Sequence, residues 1–280
     1  MPDLDYATTR DGSQVAFRTY STGPGEPLLY LPGLLYSIES IPDDPVYARL
    51  VNGLAELRPL VLVERRGIGA SDPVDWSGDV WQQWAADVVA VIDHLGAERA
   101  SVMSYSVGAA IALEAAARFA DRVSSAVALH PFLRAHPDEG VDQVRMTKVV
   151  DRDPEAGHNE MVAAFPSRVH DEGFVDWFTR VGRVAASPAN AARFWDAVYA
   201  PTDLRDRLGD IDASVLLLCR RGYVDLPGGV DDFQEVASWI PNSTASVLRP
   251  ARSRHSCSRI WWAPPRRCGR WATPIGARCW

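Results

Sequence analysis

Residues 101–120 constrain the fold more than any other part of the sequence, because an apolar run, a serine turn and an alanine-rich helix follow one another there. The run at 101–103 is typical of a short strand, and 107–120 of a helix. The turn between them, Ser-Tyr-Ser-Val-Gly, has small residues two before and two after Ser106. Such a turn lifts a hydroxyl off the sheet and leaves the next N–H free to stabilise an oxyanion. The pattern predicts Ser106 as a nucleophile, with an ordinary strand-to-helix turn as the alternative.

The same alternation of strands and helices extends over most of the chain and predicts an α/β fold. An N-terminal hairpin over 6–20 is predicted by the Asp-Gly dipeptide at 11–12. Compact apolar runs predict further strands at 28–31, 60–63, 101–103, 123–129, 215–218 and 244–248. Helical spacing predicts helices at 44–57, 80–95, 107–120 and 230–239. Together these elements predict a mostly parallel eight-stranded sheet flanked by helices.

The strand rhythm stops between residues 136 and 200, where helical segments rich in Trp, Phe and Arg take over. Helices are expected at 174–183 and 188–199. We therefore predict an α/β core formed by 1–135 and 201–250, with 136–200 inserted as a helical cap.

The last thirty residues differ in composition from the rest. Residues 251–280 contain seven arginines, four of the ten tryptophans and three of the four cysteines, but no acidic residue. No helical or strand periodicity is visible there. Our hypothesis is that this tail is an out-of-frame or otherwise altered end that replaces a final amphipathic helix.

Composition excludes several classes of protein. All 36 acidic residues lie before position 251, so the body is strongly acidic and a nucleic-acid partner is not expected. No run of about 18 apolar residues is present, so no membrane partner is expected and the chain is predicted to be cytoplasmic. The cysteine spacing matches neither a disulfide framework nor a zinc site, and no metal is predicted.

Four motifs together resemble the α/β-hydrolase superfamily. They are Tyr-Leu-Pro-Gly-Leu at 30–34, Glu-Arg-Arg-Gly-Ile-Gly-Ala-Ser-Asp-Pro at 64–73, the Ser106 turn, and Leu-Arg-Asp at 204–206. The resemblance covers about residues 6–250 and is nearest to bacterial members found alone or beside adenylate cyclase and regulator domains. It implies the α/β-hydrolase fold, a mostly parallel eight-stranded sheet flanked by helices with an inserted helical cap.

The resemblance also implies roles for individual residues. The backbone N–H groups of Leu34 and Val107 would form the oxyanion hole. Gly33, Tyr105 and His130 would line the pocket.

The remaining members of a catalytic triad are expected after the strands at 215–218 and 244–248. Relatives have an aspartate where this chain has Tyr223, so the acid is assigned to Asp225, two residues later. A solvated loop carboxylate is the alternative for Asp225. The base is assigned to His255, which lies in the unusual tail, so a chance histidine is the alternative there.

In the motif at 64–73, Arg66 and Asp72 are expected to shape the loop beneath the site. An internal salt bridge holding the loop is the alternative to substrate contact.

The predicted activity is cleavage of a small or medium ester, thioester or lactone through an acyl-enzyme on Ser106, without a cofactor. A serine at this position argues against the dehalogenase and epoxide hydrolase branches, whose chemistry needs a carboxylate nucleophile. The alternative is a catalytically impaired hydrolase fold that binds a small molecule or a partner protein. The sequence predicts no oligomeric state.

Overall fold

The computed structural model describes residues 3–131, 133, 165, 167–168, 170–198, 204–220 and 230–248. The predicted tail at 251–280 and much of the predicted cap lie outside the described residues.

The described residues contain one eight-stranded sheet with the order β1-β2-β4-β3-β5-β6-β7-β8. Its strands are Asp5–Thr8 (β1), Gln14–Ser21 (β2), Leu28–Leu31 (β3), Leu60–Val63 (β4), Ala100–Tyr105 (β5), Val123–Leu129 (β6), Ser214–Arg220 (β7) and Ser243–Leu248 (β8). The pairs β1–β2 and β2–β4 are antiparallel, and the other neighbouring strands are parallel. The sheet is therefore mixed but mostly parallel, which confirms the predicted fold class.

Six α-helices are found in the described residues. They are Pro45–Leu57 (α1), Val80–His94 (α2), Val107–Arg118 (α3), Glu172–Ala185 (α4), Pro188–Val198 (α5) and Val230–Trp239 (α6). Two short 3-10 helices, Ile38–Asp43 and Arg205–Asp210, were not predicted, because six residues are too few to show an apolar periodicity.

Local sequence explains where the helices begin. Before α1, Asp44 accepts hydrogen bonds from the N–H groups of Val46 and Tyr47, and Pro45 occupies the first helical position. Before α2, the Asp79 side chain accepts from the N–H of Gln82. Each carboxylate satisfies amide groups that have no partner within the helix itself.

The core lies on both sides of the central strands. Every residue of β3 and β4 is buried, as expected for strands covered by helices on both faces. Helices α2 and α3 pack against each other, α2 also packs against β1, and α3 also packs against β5 and β6. This packing fixes the end of β5, where the Ser106 turn begins.

Helices α4 and α5 lie in the predicted cap segment and pack on loops that follow the central strands. The Trp177 indole N–H of α4 donates to the carbonyl oxygen of Ser40 at 2.8 Å, and the Gly69 N–H donates to the carbonyl oxygen of Ala185 at 2.7 Å. Both Arg168 terminal nitrogens donate to the Asp44 carboxylate, at 2.9 and 2.8 Å. These bonds hold α4 at the edge of the sheet that carries the strand carboxyl ends.

In the described part of the chain, no helix combines the length and the apolar character needed to cross a bilayer.

Candidate active site

Ser106 lies between β5 and α3 in a strained backbone conformation. Its φ is 54° and its ψ is −128°, a combination that a residue with a side chain rarely adopts. The Ser106 N–H donates to the carbonyl oxygen of Leu129 at 2.9 Å, so the turn is anchored to the end of β6. Such strain persists only when the surrounding structure holds it, and it is common at active sites.

Ser104 explains how the turn tolerates a side chain where glycine is usual. Its hydroxyl donates to the Leu31 carbonyl oxygen at 2.6 Å and is buried between β5 and β3. A Cβ on Gly108 would overlap the Ser104 Oγ and lie 3.1 Å from the Pro32 carbonyl oxygen. The Ser104 hydroxyl thus fits into space that Gly108 leaves open, and the two small residues depend on each other.

The loop after β3 lies directly against the Ser106 turn. A Cβ on Gly33 would lie 2.9 Å from the Tyr105 carbonyl carbon and would overlap the carbonyl oxygen itself. Only glycine allows the two backbones to approach so closely. The contact brings the backbone of 33–34 beside the start of α3.

The two amides predicted for the oxyanion hole are placed on these two segments. Val107 is the first residue of α3, so its N–H has no partner within the helix. Among the described residues, neither the Val107 N–H nor the Leu34 N–H donates to a protein acceptor. Both amides remain available to a developing negative charge, which is what an oxyanion hole requires.

His130, predicted to line the pocket, follows β6 directly. Its backbone N–H donates to the Leu218 carbonyl oxygen at 2.8 Å, and its φ of 50° is positive like that of Ser106. Because Leu129 pairs with Tyr105 in the sheet, His130 lies at the same edge as the Ser106 turn. Its contact with a substrate stays a prediction.

Tyr105, predicted to line the pocket, belongs to a group whose other members sequence reasoning missed. We call it the tyrosine cluster: Tyr30, Tyr36, Tyr47 and Tyr105. The Tyr105 hydroxyl lies 2.6 Å from that of Tyr36 and 3.3 Å from that of Tyr47. Burial raises the pKa of Tyr105 and of Tyr36 well above the ordinary value for tyrosine, so both stay neutral. The cluster packs against Trp177 of α4 through the rings of Tyr36 and Tyr47.

The loop at 64–73 is held from inside by the buried carboxylate of Glu64. This carboxylate accepts from the N–H of Ile38 at 3.0 Å and from the N–H of Ala70 at 2.7 Å. The Ser71 hydroxyl donates to the Glu64 carbonyl oxygen. Burial raises the pKa of Glu64 above its ordinary value, although these hydrogen bonds favour the charged form.

Arg66 and Asp72 also hold the loop, but not by pairing with each other. Arg66 Nε donates to the Asp87 carboxylate at 2.8 Å, and its Nη1 donates to Asp11 at 2.8 Å. Asp72 accepts from the N–H of Gln14 at 2.7 Å. For Arg66 these contacts are internal salt bridges, which was the alternative to substrate contact, whereas Asp72 makes a hydrogen bond to the backbone. Asp87 was missed, although an acidic residue on the apolar face of α2 is a signal for a buried partner.

Asp225 and His255, the predicted acid and base, lie outside the described residues, and their roles stay predictions. In the described ranges, no group of three or more His, Cys, Asp or Glu side chains is arranged to hold a metal ion.

A serine on a strained strand-to-helix turn, at the carboxyl edge of a mostly parallel sheet, defines an α/β-hydrolase architecture. Comparison with family models agrees: the model described as "alpha/beta hydrolase fold" matches residues 26–234, and the chain belongs to this family.

Solved structures with the same fold include several hydrolases. An enol-lactonase from Burkholderia xenovorans LB400 has a TM-score of 0.71 and 20% identity, over 87% of this chain and 91% of that one. The esterase RhEst1 from Rhodococcus sp. ECU1013 has a TM-score of 0.70 and 23% identity, over 88% and 90%. Est816, described as an N-acyl homoserine lactone degrading enzyme, has a TM-score of 0.67 and 21% identity, over 88% and 92%. At these identities the likeness shows the shared fold.

Proposed function

We propose that the protein is a serine hydrolase that cleaves a small or medium ester, thioester or lactone through an acyl-enzyme on Ser106. The observation that carries the proposal is the Ser106 turn. Its φ of 54° is maintained between β5 and α3, with the Gly33 backbone packed against Tyr105. Strain of this kind has no role in ordinary strand-to-helix connections, where an unstrained turn suffices.

The amides of Leu34 and Val107, which donate to no acceptor among the described residues, support acyl transfer in particular. Attack by the Ser106 oxygen on a carbonyl carbon places negative charge on the carbonyl oxygen. The N–H groups of Leu34 and Val107 would donate to that oxygen and lower the barrier. In the proposed mechanism, His255 takes the serine proton and later gives it to the leaving group, Asp225 orients His255, and water then releases the acyl group.

The class of substrate follows from the chemistry and the surroundings of the site. Ester, thioester and lactone carbonyls all react through the same tetrahedral intermediate. We propose that α4 and α5 form part of a cap over the site, and their aromatic side chains, among them Phe178 and Trp195, favour an apolar acyl or alcohol group. Structures with this fold include an enol-lactonase and a lactone-degrading enzyme, so lactones belong among the first substrates to test.

The proposal is tested by hydrolysis of p-nitrophenyl acetate, p-nitrophenyl butyrate and a six-carbon N-acyl homoserine lactone. We expect turnover by the full-length chain and a return to the background rate in Ser106→Ala. A fluorophosphonate probe should label the wild-type chain but not the variant. Ser77→Ala, which changes an exposed loop serine, is the matched control and should keep both turnover and labelling.

Equal rates for the wild type and Ser106→Ala, with no probe labelling, would overturn the serine mechanism. The alternative of a binding module would then stand, and it has its own support in Tyr223, which occupies the position where relatives have the acid.

A further inference from the structure

Arg65, beside the loop-holding Arg66, has no assigned role, yet its side chain is only 1% exposed. It follows β4 by two residues, and its Nη1 donates to the carbonyl oxygen of Pro32 at 2.9 Å. Pro32 immediately precedes Gly33 and Leu34, whose backbone lies against the Ser106 turn. Arg65 is therefore bonded to the loop that carries one of the two proposed oxyanion donors.

Arg65 forms no ion pair among the described residues, although the negative charges of Asp87 and Glu64 act on it from a longer distance. Its Nε and Nη2 are buried without hydrogen-bond partners there, and no carboxylate of those residues forms an ion pair with it. The nearby acids are used elsewhere, Asp87 by Arg66 and Glu64 by backbone amides. Instead, the guanidinium lies over the rings of Trp84 and Phe194, 5.5 and 4.9 Å from their centroids.

A buried cation without a direct ion-pair partner destabilises a fold, and an apolar side chain of similar size is often better tolerated. Burial lowers the pKa of Arg65 to about 10, which still leaves it charged near neutral pH. Stability alone therefore does not account for an arginine at this position.

The local geometry explains what the arginine does. Gly33 is needed for close contact with Tyr105, but a glycine leaves the orientation of its peptide planes weakly determined. The bond from Arg65 fixes the plane between Pro32 and Gly33. The next plane carries the Leu34 N–H, so its direction depends on this anchor.

We propose that Arg65 is a positioning residue of the oxyanion hole: it orients the Leu34 N–H through the Pro32 carbonyl, and its buried positive charge favours negative charge at the site. This inference rests on the proposed serine mechanism. The charge acts through a buried, low-dielectric region, where attraction between opposite charges is stronger than in water. Arg65 is not proposed to touch the substrate.

The test compares Arg65→Met and Arg65→Lys with Arg58→Met as the matched control. Arg58 precedes β4 whereas Arg65 follows it, so the control makes the same change at the opposite end of the strand. We expect Arg65→Met to lower kcat by about 10- to 100-fold and to leave KM within about threefold of the wild-type value. A misplaced hydrogen-bond donor stabilises the transition state less well but hardly changes binding of the substrate in its ground state. The thermal midpoint of Arg65→Met should equal or exceed that of the wild type. Arg65→Lys, which keeps the charge, should recover part of the loss.

A second measurement uses a trifluoromethyl ketone, whose adduct with Ser106 places an oxyanion in the hole. Its inhibition constant should rise in Arg65→Met by the same factor by which kcat falls, and should not change in Arg58→Met. If Arg65→Met does not fold, the same proportionality is required of Arg65→Lys. If kcat and the inhibition constant are unchanged in Arg65→Met while turnover still depends on Ser106, the proposed role of Arg65 is overturned but the proposed function is not. An absence of Ser106-dependent turnover in the wild type would instead overturn the proposed function.

Discussion

Replacing Gly33 by alanine tests whether the close contact between the loop after β3 and the Ser106 turn is required for catalysis. The new Cβ would lie 2.9 Å from the Tyr105 carbonyl carbon and 3.0 Å from its Cδ2, and would overlap the carbonyl oxygen. Cβ atoms essentially never approach other atoms within 3.0 Å, so something must move. Tyr105 ends a buried strand and cannot yield easily, so the loop carrying Leu34 is expected to move by roughly 1 Å.

The expected effect follows from that displacement. A misplacement of about 1 Å can reduce a rate by about 100-fold, and loss of one oxyanion donor reduces kcat by about 100- to 1,000-fold. We therefore expect Gly33→Ala to lower kcat for p-nitrophenyl butyrate by at least about 100-fold, with a much smaller change in KM.

The matched control is Gly23→Ala, in an exposed loop where a new Cβ would meet only Pro59 at 3.9 Å. Circular dichroism and thermal unfolding should show that both variants fold. A folded Gly33→Ala protein with a kcat within threefold of Gly23→Ala would refute the assignment of this loop to the oxyanion hole.

Three further predictions concern stability, measured as the free energy of unfolding in urea. Asp87→Ala removes the buried partner of Arg66 and should lower the free energy of unfolding by about 3 kcal/mol or more. A loss under 1 kcal/mol (about fivefold in the unfolding equilibrium) would contradict the view that the Arg66–Asp87 pair is needed for stability. Gly108→Ala should lower the free energy of unfolding by about 1–3 kcal/mol, and adding Ser104→Ala should recover part of this loss. Strictly additive effects of the two substitutions would contradict the inference that the Ser104 hydroxyl occupies the space beside Gly108. Trp177→Ala should cost about 3–5 kcal/mol, and an unchanged transition would show that α4 is not packed on the core.

The central strands could be predicted because they are buried on both faces and therefore have continuous apolar runs. The four residues of β3 and the four of β4 read as strands for this reason. The start of α1 was predictable from its capping aspartate and the proline after it. The Ser106 turn was predictable because its small residues are close together in the sequence.

The tyrosine cluster could not be predicted, because its members come from β3, the loop after it, α1 and β5. No local spacing connects residues as distant as Tyr30 and Tyr105, and only the pairing of β3 with β5 brings them together. The burial of Asp87 was easier to predict from the sequence, since Asp87 shares the apolar face of α2 with Trp84 and Val91.

The different roles of Arg65 and Arg66 could not be predicted from the sequence either. They are neighbours of the same type and both are buried, yet one bonds to a backbone carbonyl and the other to two carboxylates. Which contact each makes depends on the fold around them. Asp225 and His255 stay predictions from resemblance, because no described residue bears on them.

In the proposed mechanism, the contacts of α4 with the core would couple the two ends of a bound substrate. The segment that receives the Trp177 indole and the Arg168 guanidinium, at Ser40 and Asp44, begins only a few residues after Leu34. A ligand that shifts α4 would therefore pull on the chain that presents the Leu34 amide. If α4 covers the site as proposed, binding of the distal part of a substrate would help to align its reacting carbonyl, and shortened substrates should lose turnover rate as well as affinity.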